Sequence, residues 1–128
     1  MKTTGLLLIV AALLGPAALA EDKAAPPTSL DPAVVNAKTI QVKLENDRVR
    51  VLEAVLPPGA KEQLHAHPAY VIYVLAGGKS RNHAADGTTT ETEFTAGQTI
   101  YREPLTHWAE NIGTTTIRLV LVELKGPA

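Results

Sequence analysis

The chain has 128 residues, with 12 basic and 13 acidic side chains, a formal net charge of −1 and no cysteine. That is the length of one domain, enough to bury a core without staples. No disulfide or thiolate chemistry is available, and no basic stretch offers the electrostatic footprint that nucleic acid requires.

Lys2 gives a short basic start, residues 6–14 form an uncharged apolar run, and Ala18-Leu19-Ala20 is a small-residue A-x-A site before Glu21. This is the pattern of a secretory signal peptide over residues 1–20. The run is too short to span a bilayer, which takes about 20 apolar residues, and no cysteine is present to carry a lipid. The expectation is an exported protein, periplasmic or secreted, with no membrane attachment in its mature form. Cleavage after Ala20 leaves 108 residues, with 11 basic against 13 acidic side chains once Lys2 is gone. Residues 21–37 are rich in Ala, Pro and Asp, and Pro26, Pro27 and Pro32 oppose regular structure. They read as a flexible N-terminal segment with room for one short turn over 31–36.

From residue 38 to 128 the pattern is that of short β-strands at regular intervals. Residues 39–44 alternate, with Ile40, Val42 and Leu44 on one face, and Asn46-Asp47 is a turn signal. Residues 48–56 alternate again until Pro57-Pro58-Gly59 breaks them. A short strand over 63–67 and a dense run of β-formers over 70–75 follow, the latter ended by Gly77-Gly78. Residues 79–84 and 88–95 flank Asp86-Gly87, a strong hairpin turn. Residues 98–102 and 107–111 read as strands separated by Pro104, and 116–124 as the last strand. There Ile117, Leu119 and Leu121 point inward, together with either Val122 or Leu124. No helical periodicity and no fixed-period repeat appear. Eight to ten short strands in about 90 residues mean an all-β sandwich or barrel.

His65-Ala66-His67 carries the chemistry. Histidines two apart on a strand point to the same face, so their imidazoles converge, and His107 from another strand can complete a metal site. The bland alternative is two solvated strand histidines and one unrelated one. Gln63 shares their parity and reads either as a further ligand or as a strand-end surface amide.

Gly59, the His65-x-His67 pair and the later Gly77-Gly78 resemble the first motif of the cupin family, and Gly97, Pro104, His107 and Asn111 resemble the second. The resemblance spans residues 49–124. It implies a double-stranded β-helix, or jelly-roll, barrel with a divalent metal held inside by His65, His67 and His107. The family's ligand glutamate is missing. Counting forward from His67 puts Val71 at its position, and counting back from the following strand puts Tyr70 there. The second motif also has Leu105-Thr106 where its middle glycine would stand. Some cupins, including thiol dioxygenases and a diketone-cleaving dioxygenase, use three histidines alone, a likeness confined to the ligand set.

Three neutral imidazoles leave a metal's +2 charge uncompensated and positions open for an anionic or chelating ligand. Such a site accepts Fe, Mn, Ni, Cu or Zn. Tyr70 is a candidate catalytic hydrogen-bond donor or else a rim aromatic. Glu62 and Glu103 read as solvated, Arg102 as a surface arginine or else an anion-binding residue at the barrel mouth, His83 as a surface residue, Trp108 as facing away from the metal, and Asn111 as a turn or backbone-bonding residue. Two functions stay open: a small-molecule dioxygenase or isomerase-type enzyme, and a non-catalytic module binding a small ligand or metal. The pattern shows no general base. A homodimer is compatible with the sequence, which leaves the oligomeric state open. Mass spectrometry of exported protein is expected to find Glu21 at the N-terminus; a mass retaining residues 1–20 removes the compartment assignment.

Overall fold

The computed structural model describes residues 29–127, so the expected signal peptide and residues 21–28 lie outside the described part. The segment from Ser29 forms the short turn that residues 31–36 leave room for, as one turn of helix, α1 (Pro32–Val35), capped by Asp31, and it packs on the barrel where a flexible lead-in is expected. Asp31 Oδ1 accepts the Ala33 amide at 2.8 Å, and Pro32 stands at a first helical position that needs no amide hydrogen. The prolines that oppose longer structure therefore favour this single turn.

Nine strands follow: β1 (Ile40–Glu45), β2 (Val49–Leu56), β3 (His65–His67), β4 (Tyr70–Ala76), β5 (Gly78–Ala84), β6 (Thr89–Phe94), β7 (Thr99–Arg102), β8 (Leu105–Asn111) and β9 (Ile117–Leu124). They form two antiparallel sheets, one of five strands in the order β1-β2-β9-β4-β7 and one of four in the order β3-β8-β5-β6. The two faces enclose a barrel interior. The expected alternation holds in β9, where Ile117, Leu119 and Leu121 are inward, but the fourth inward residue is Glu123 rather than Val122 or Leu124. In β1 only Ile40 is buried. The register shifts between Val42 and Leu44, and both end on the outside.

The hydrophobic core is one-sided. Leu52, Ala54, Leu56, Ile72, Val74 and the inward apolar residues of β9 all belong to the five-stranded sheet. The buried side chains of the four-stranded sheet are His65, His67, Ser80, His107 and Asn111. Two glycines make the turns possible. Gly87 closes the β5–β6 hairpin at φ +90°, a conformation other residues resist. At Gly77 a Cβ would run into the backbone carbonyl of Phe94, so the β4–β5 crossing requires a residue without one.

Leu52 is fully buried while Leu44 is half exposed. Leu52→Ala is expected to cost about 2–5 kcal/mol through lost burial and the cavity left behind, and Leu44→Ala within about 0.5 kcal/mol. Urea unfolding of both variants checks the assignment of the core.

Candidate metal centre

β3 carries His65 and His67 on its inward parity, and β8 places His107 directly opposite His65 in register. Pro68 ends β3 after three residues. The ring centroids stand 4.6 Å apart for His65–His107, 4.8 Å for His65–His67 and 5.4 Å for His67–His107. One ring nitrogen from each lies within 4.8 Å of the other two, and all three residues are buried. The structure thus brings together the three histidines that the motifs single out.

The opposite edge of each ring is held by an oxygen. His65 Nδ1 lies 2.7 Å from the Gln63 carbonyl, His67 Nδ1 lies 2.7 Å from Glu123 Oε2, and His107 Nδ1 meets Asn82 Oδ1. An oxygen acceptor at Nδ1 requires the proton there and leaves Nε2 with its lone pair. Asn36 Nδ2 also lies 3.0 Å from His65 Nδ1, but the same amide reaches the Gln63 carbonyl at 3.2 Å, and the shorter 2.7 Å contact decides the ring proton. All three Nε2 atoms are therefore free to act as ligands.

His107 Nε2 is buried and has no hydrogen-bond partner among the described residues. An unpaired buried polar atom costs roughly 1–3 kcal/mol. A cation shared with the neighbouring imidazoles would satisfy it, so these residues fit a divalent metal, with His65, His67 and His107 to hold it.

The site opens on a cavity of about 600 Å³ lined on one wall by Leu56, Ile72, Ile117 and Leu121, with His67, His107 and Tyr70 facing it. Of the two residues competing for the vacated glutamate position, Tyr70 is buried and tilts over His67 at 4.5 Å, while Val71 is only half-buried and does not line the cavity. Gln63 is exposed and outside the cavity lining; its part is played by its backbone carbonyl. Arg102 and Glu103 do line the cavity at its mouth, with Arg102 half-buried. His83 stacks flat on Trp108 at 3.6 Å and bonds Glu110. Asn111 is buried and bonds backbone, donating to the Leu56 and Thr115 carbonyls.

Glu62 corrects the sequence expectation. It is buried, lines the cavity, accepts the Ala109 amide at 3.1 Å, and sits with Oε2 3.8 Å from His65 Nε2. Its placement depends on the loop before β3 pairing with β8, where the Glu62 amide in turn donates to the Ala109 carbonyl. A charged residue outside a strand carries no parity signal, which is why the pattern missed it. Glu123 and Asn82 were missed too, although the strand alternation of β9 would have placed Glu123 inward had its charge been disregarded.

No protein-family model matches the chain, and no curated protein matches it. Solved structures do match. A cupin domain from Bordetella pertussis is 28% identical with a TM-score of 0.62, covering 68% of this chain and 92% of that one. The chain is a cupin-fold protein. A double-stranded β-helix protein from Klebsiella pneumoniae is 27% identical with a TM-score of 0.56, covering 69% and 76% of the two chains. A predicted oxalate decarboxylase from Thermotoga maritima is 23% identical with a TM-score of 0.51, covering 68% and 79%, a likeness of fold alone.

Burial sets the charge state of the site. Desolvation lowers His65 to about 4 and His107 to about 3, in both cases assisted by the neighbouring histidines. It raises Glu62 to about 7, opposed by the Ala109 amide, and pushes the Tyr70 phenol up to about 12. Between about pH 4 and 7 His65 and Glu62 thus face each other as neutral groups rather than as an ion pair.

Two outcomes follow for the metal-free protein. The depressed histidines contribute stability that is present above their unfolded value of 6.5 and lost as pH falls toward 4 and 3, because the unfolded chain takes up protons the fold refuses. Glu62 acts oppositely, contributing below 4.5 and losing that contribution as pH rises to about 7. Between pH 6.5 and 4.5 the two histidines outweigh the one carboxyl. Acidification in chelator is therefore expected to lower the melting temperature, and Glu62→Gln to steepen the decline. For the vacated position, Tyr70→Glu is expected to raise affinity for a divalent ion by adding a carboxylate beside His67, and Val71→Glu to leave it unchanged. Competition with a chromogenic chelator checks both.

Proposed function

We propose that this protein is an exported, metal-dependent cupin enzyme acting on a small molecule with an apolar body and a chelating oxygen group. The observation that carries the reading is the convergence of three proton-free Nε2 atoms, with His67 and His107 lining a cavity that has one apolar wall and the Glu62 carboxyl beside His65. When bound there, a divalent ion with neutral ligands retains its charge and open positions and polarises an oxygen of the bound molecule.

The chain's own groups supply the rest. Glu62, raised to about 7, is poised to take or return a proton at its carboxylate oxygen near neutral pH. It is the pocket carboxylate that the sequence pattern does not show. Tyr70 stays protonated across the physiological range and offers a phenolic donor beside His67. The wall of Leu56, Ile72, Ile117 and Leu121 excludes water and accepts the apolar body. Arg102 at the mouth adds positive potential that is already felt at Tyr70 and His107, which favours an anionic or enolisable ligand. Together these groups would support transfer of a proton between the Glu62 carboxylate and a carbon beside a carbonyl of the bound molecule, as isomerase-type chemistry requires.

The test begins with metal analysis of protein purified from the periplasm without chelator. One equivalent of Fe, Mn, Ni, Cu or Zn is expected in wild type and a large loss in His65→Ala and His107→Ala. Bound metal should raise the wild-type melting temperature in proportion to its free concentration and leave both variants unmoved. The metal-loaded protein is then offered small 1,3-dicarbonyls and α-hydroxy acids while oxygen uptake and product are followed. Glu62→Gln is expected to lower turnover by about 10²–10⁴-fold while retaining metal. Full metal content with no turnover of any chelating compound identifies a binding module instead, and unchanged metal content in the histidine variants removes the three-histidine site.

A further inference from the structure

We propose that residues 30–36 form a positioning strap for the metal site, in which Asn36 sets the ring of His65 and Asp31, acting through Arg50 and Glu123, sets the ring of His67. The inference rests on the reading of the three histidines as ligands, and goes beyond it by assigning their orientation to a segment outside the barrel.

β3 has three residues and lies at the edge of its sheet, with β8 as its one strand partner. So short an edge strand has little means of holding two rings in a fixed orientation by itself. The strap supplies the missing side. The Ala66 amide, which points away from β8, donates to the Leu30 carbonyl at 2.8 Å. Asn36, itself buried, grips the peptide at residue 63 from both ends: Oδ1 accepts the Gln63 amide at 2.7 Å and Nδ2 donates to the Gln63 carbonyl at 3.2 Å. That carbonyl is the acceptor of the His65 Nδ1 proton.

The second arm is a chain of charges. Asp31 takes Arg50 in a two-pronged pair, with both contacts at 2.7 Å. Arg50 Nε donates to Glu123 Oε1 at 2.9 Å, and Glu123 Oε2 accepts from His67 Nδ1 at 2.7 Å. Glu123 and Arg50 are largely buried, so the guanidinium compensates a carboxylate that would otherwise be costly to place there. Asp31 fixes the guanidinium plane, the guanidinium fixes the carboxylate, and the carboxylate fixes the imidazole. His107 is held differently, by Asn82 of β5, and serves as an internal control.

Partners that orient ligating histidines are worth about 10–100-fold in metal affinity. The test uses the full mature chain labelled with ¹⁵N-histidine. Ring ¹⁵N shifts of the metal-free protein report the tautomer at each histidine, and Zn²⁺ affinity is measured by chelator competition. Asn36→Ala is expected to release the Nδ1–H tautomer at His65, and Asp31→Asn, which keeps side-chain volume and a helix cap, to release that at His67. His107 stays unchanged in both. Zn²⁺ affinity is expected to fall about 10–100-fold in each, and Glu45→Gln, which removes the exposed Glu45–Lys125 pair, to leave it at the wild-type value. Wild-type tautomers and affinity in both strap variants overturn the proposal. So do shifts spread equally over all three histidines, which mean general loosening. A wild-type protein that binds no Zn²⁺ defeats the metal reading, while the tautomer measurement still decides whether the strap orients the rings.

Discussion

One inner face of this barrel is polar, and burying it is the constraint to which the rest of the structure answers. The five-stranded sheet presents Leu52, Leu56, Ile72 and Val74 inward, while the four-stranded sheet presents three histidines, Ser80 and Asn111. Polar groups removed from water are tolerated only when hydrogen-bonded. Nearly every polar neighbour of the interior is explained by that demand. Asn111 bonds two backbone carbonyls across a turn, Glu62 takes the Ala109 amide, and each histidine has an oxygen at Nδ1. The demand goes unmet at one described side-chain atom, His107 Nε2. A network so fully paired elsewhere makes that single lone pair the chemically informative atom of the molecule.

The same constraint explains why the site is neutral. His65 and His107 resist a second proton in a desolvated pocket crowded with other imidazoles, so they stay uncharged well below their ordinary value. Of the two carboxyl groups brought close, Glu123 is offset by Arg50, and Glu62, 3.8 Å from His65 Nε2, is raised by burial to about 7. The pocket therefore carries little net negative charge below neutral pH, which leaves much of a cation's charge to be met by whatever molecule enters the cavity.

Much of this was legible from residue order, because period-two alternation and turn residues report directly on strands. The nine expected strands correspond to the nine observed, and His65, His67 and His107 meet as same-face parity and the two motifs imply. The failures share one cause. Burial of a charged residue depends on partners distant in sequence, and alternation read as hydrophobicity passes over it. Glu123 sits on the inward parity of β9 yet was set aside in favour of Val122 or Leu124, because its support comes from Arg50, 73 positions away. Glu62 lies in a loop with no parity at all. The N-terminal segment leaves room for one short turn over 31–36 and that turn forms; what residue order does not show is that Arg50 and the Gln63 backbone are there to receive it.

The last strand in sequence is the middle strand of the larger sheet. β9 pairs with β2 on one side and β4 on the other, so Val49 is matched to Leu124 and Tyr70 to Glu123. Before β9 is in place β2 has only β1 beside it and β4 only β7, and joining the two pairs closes loops of about 40 to 75 positions, a slow step. The five-stranded sheet closes only when β9 joins those two pairs. Because Glu123 arrives with β9, the ring of His67 acquires its partner at that step. A chain lacking β9 thus lacks the central strand of the larger sheet and the carboxylate beside His67, which is more than the trimming of an edge.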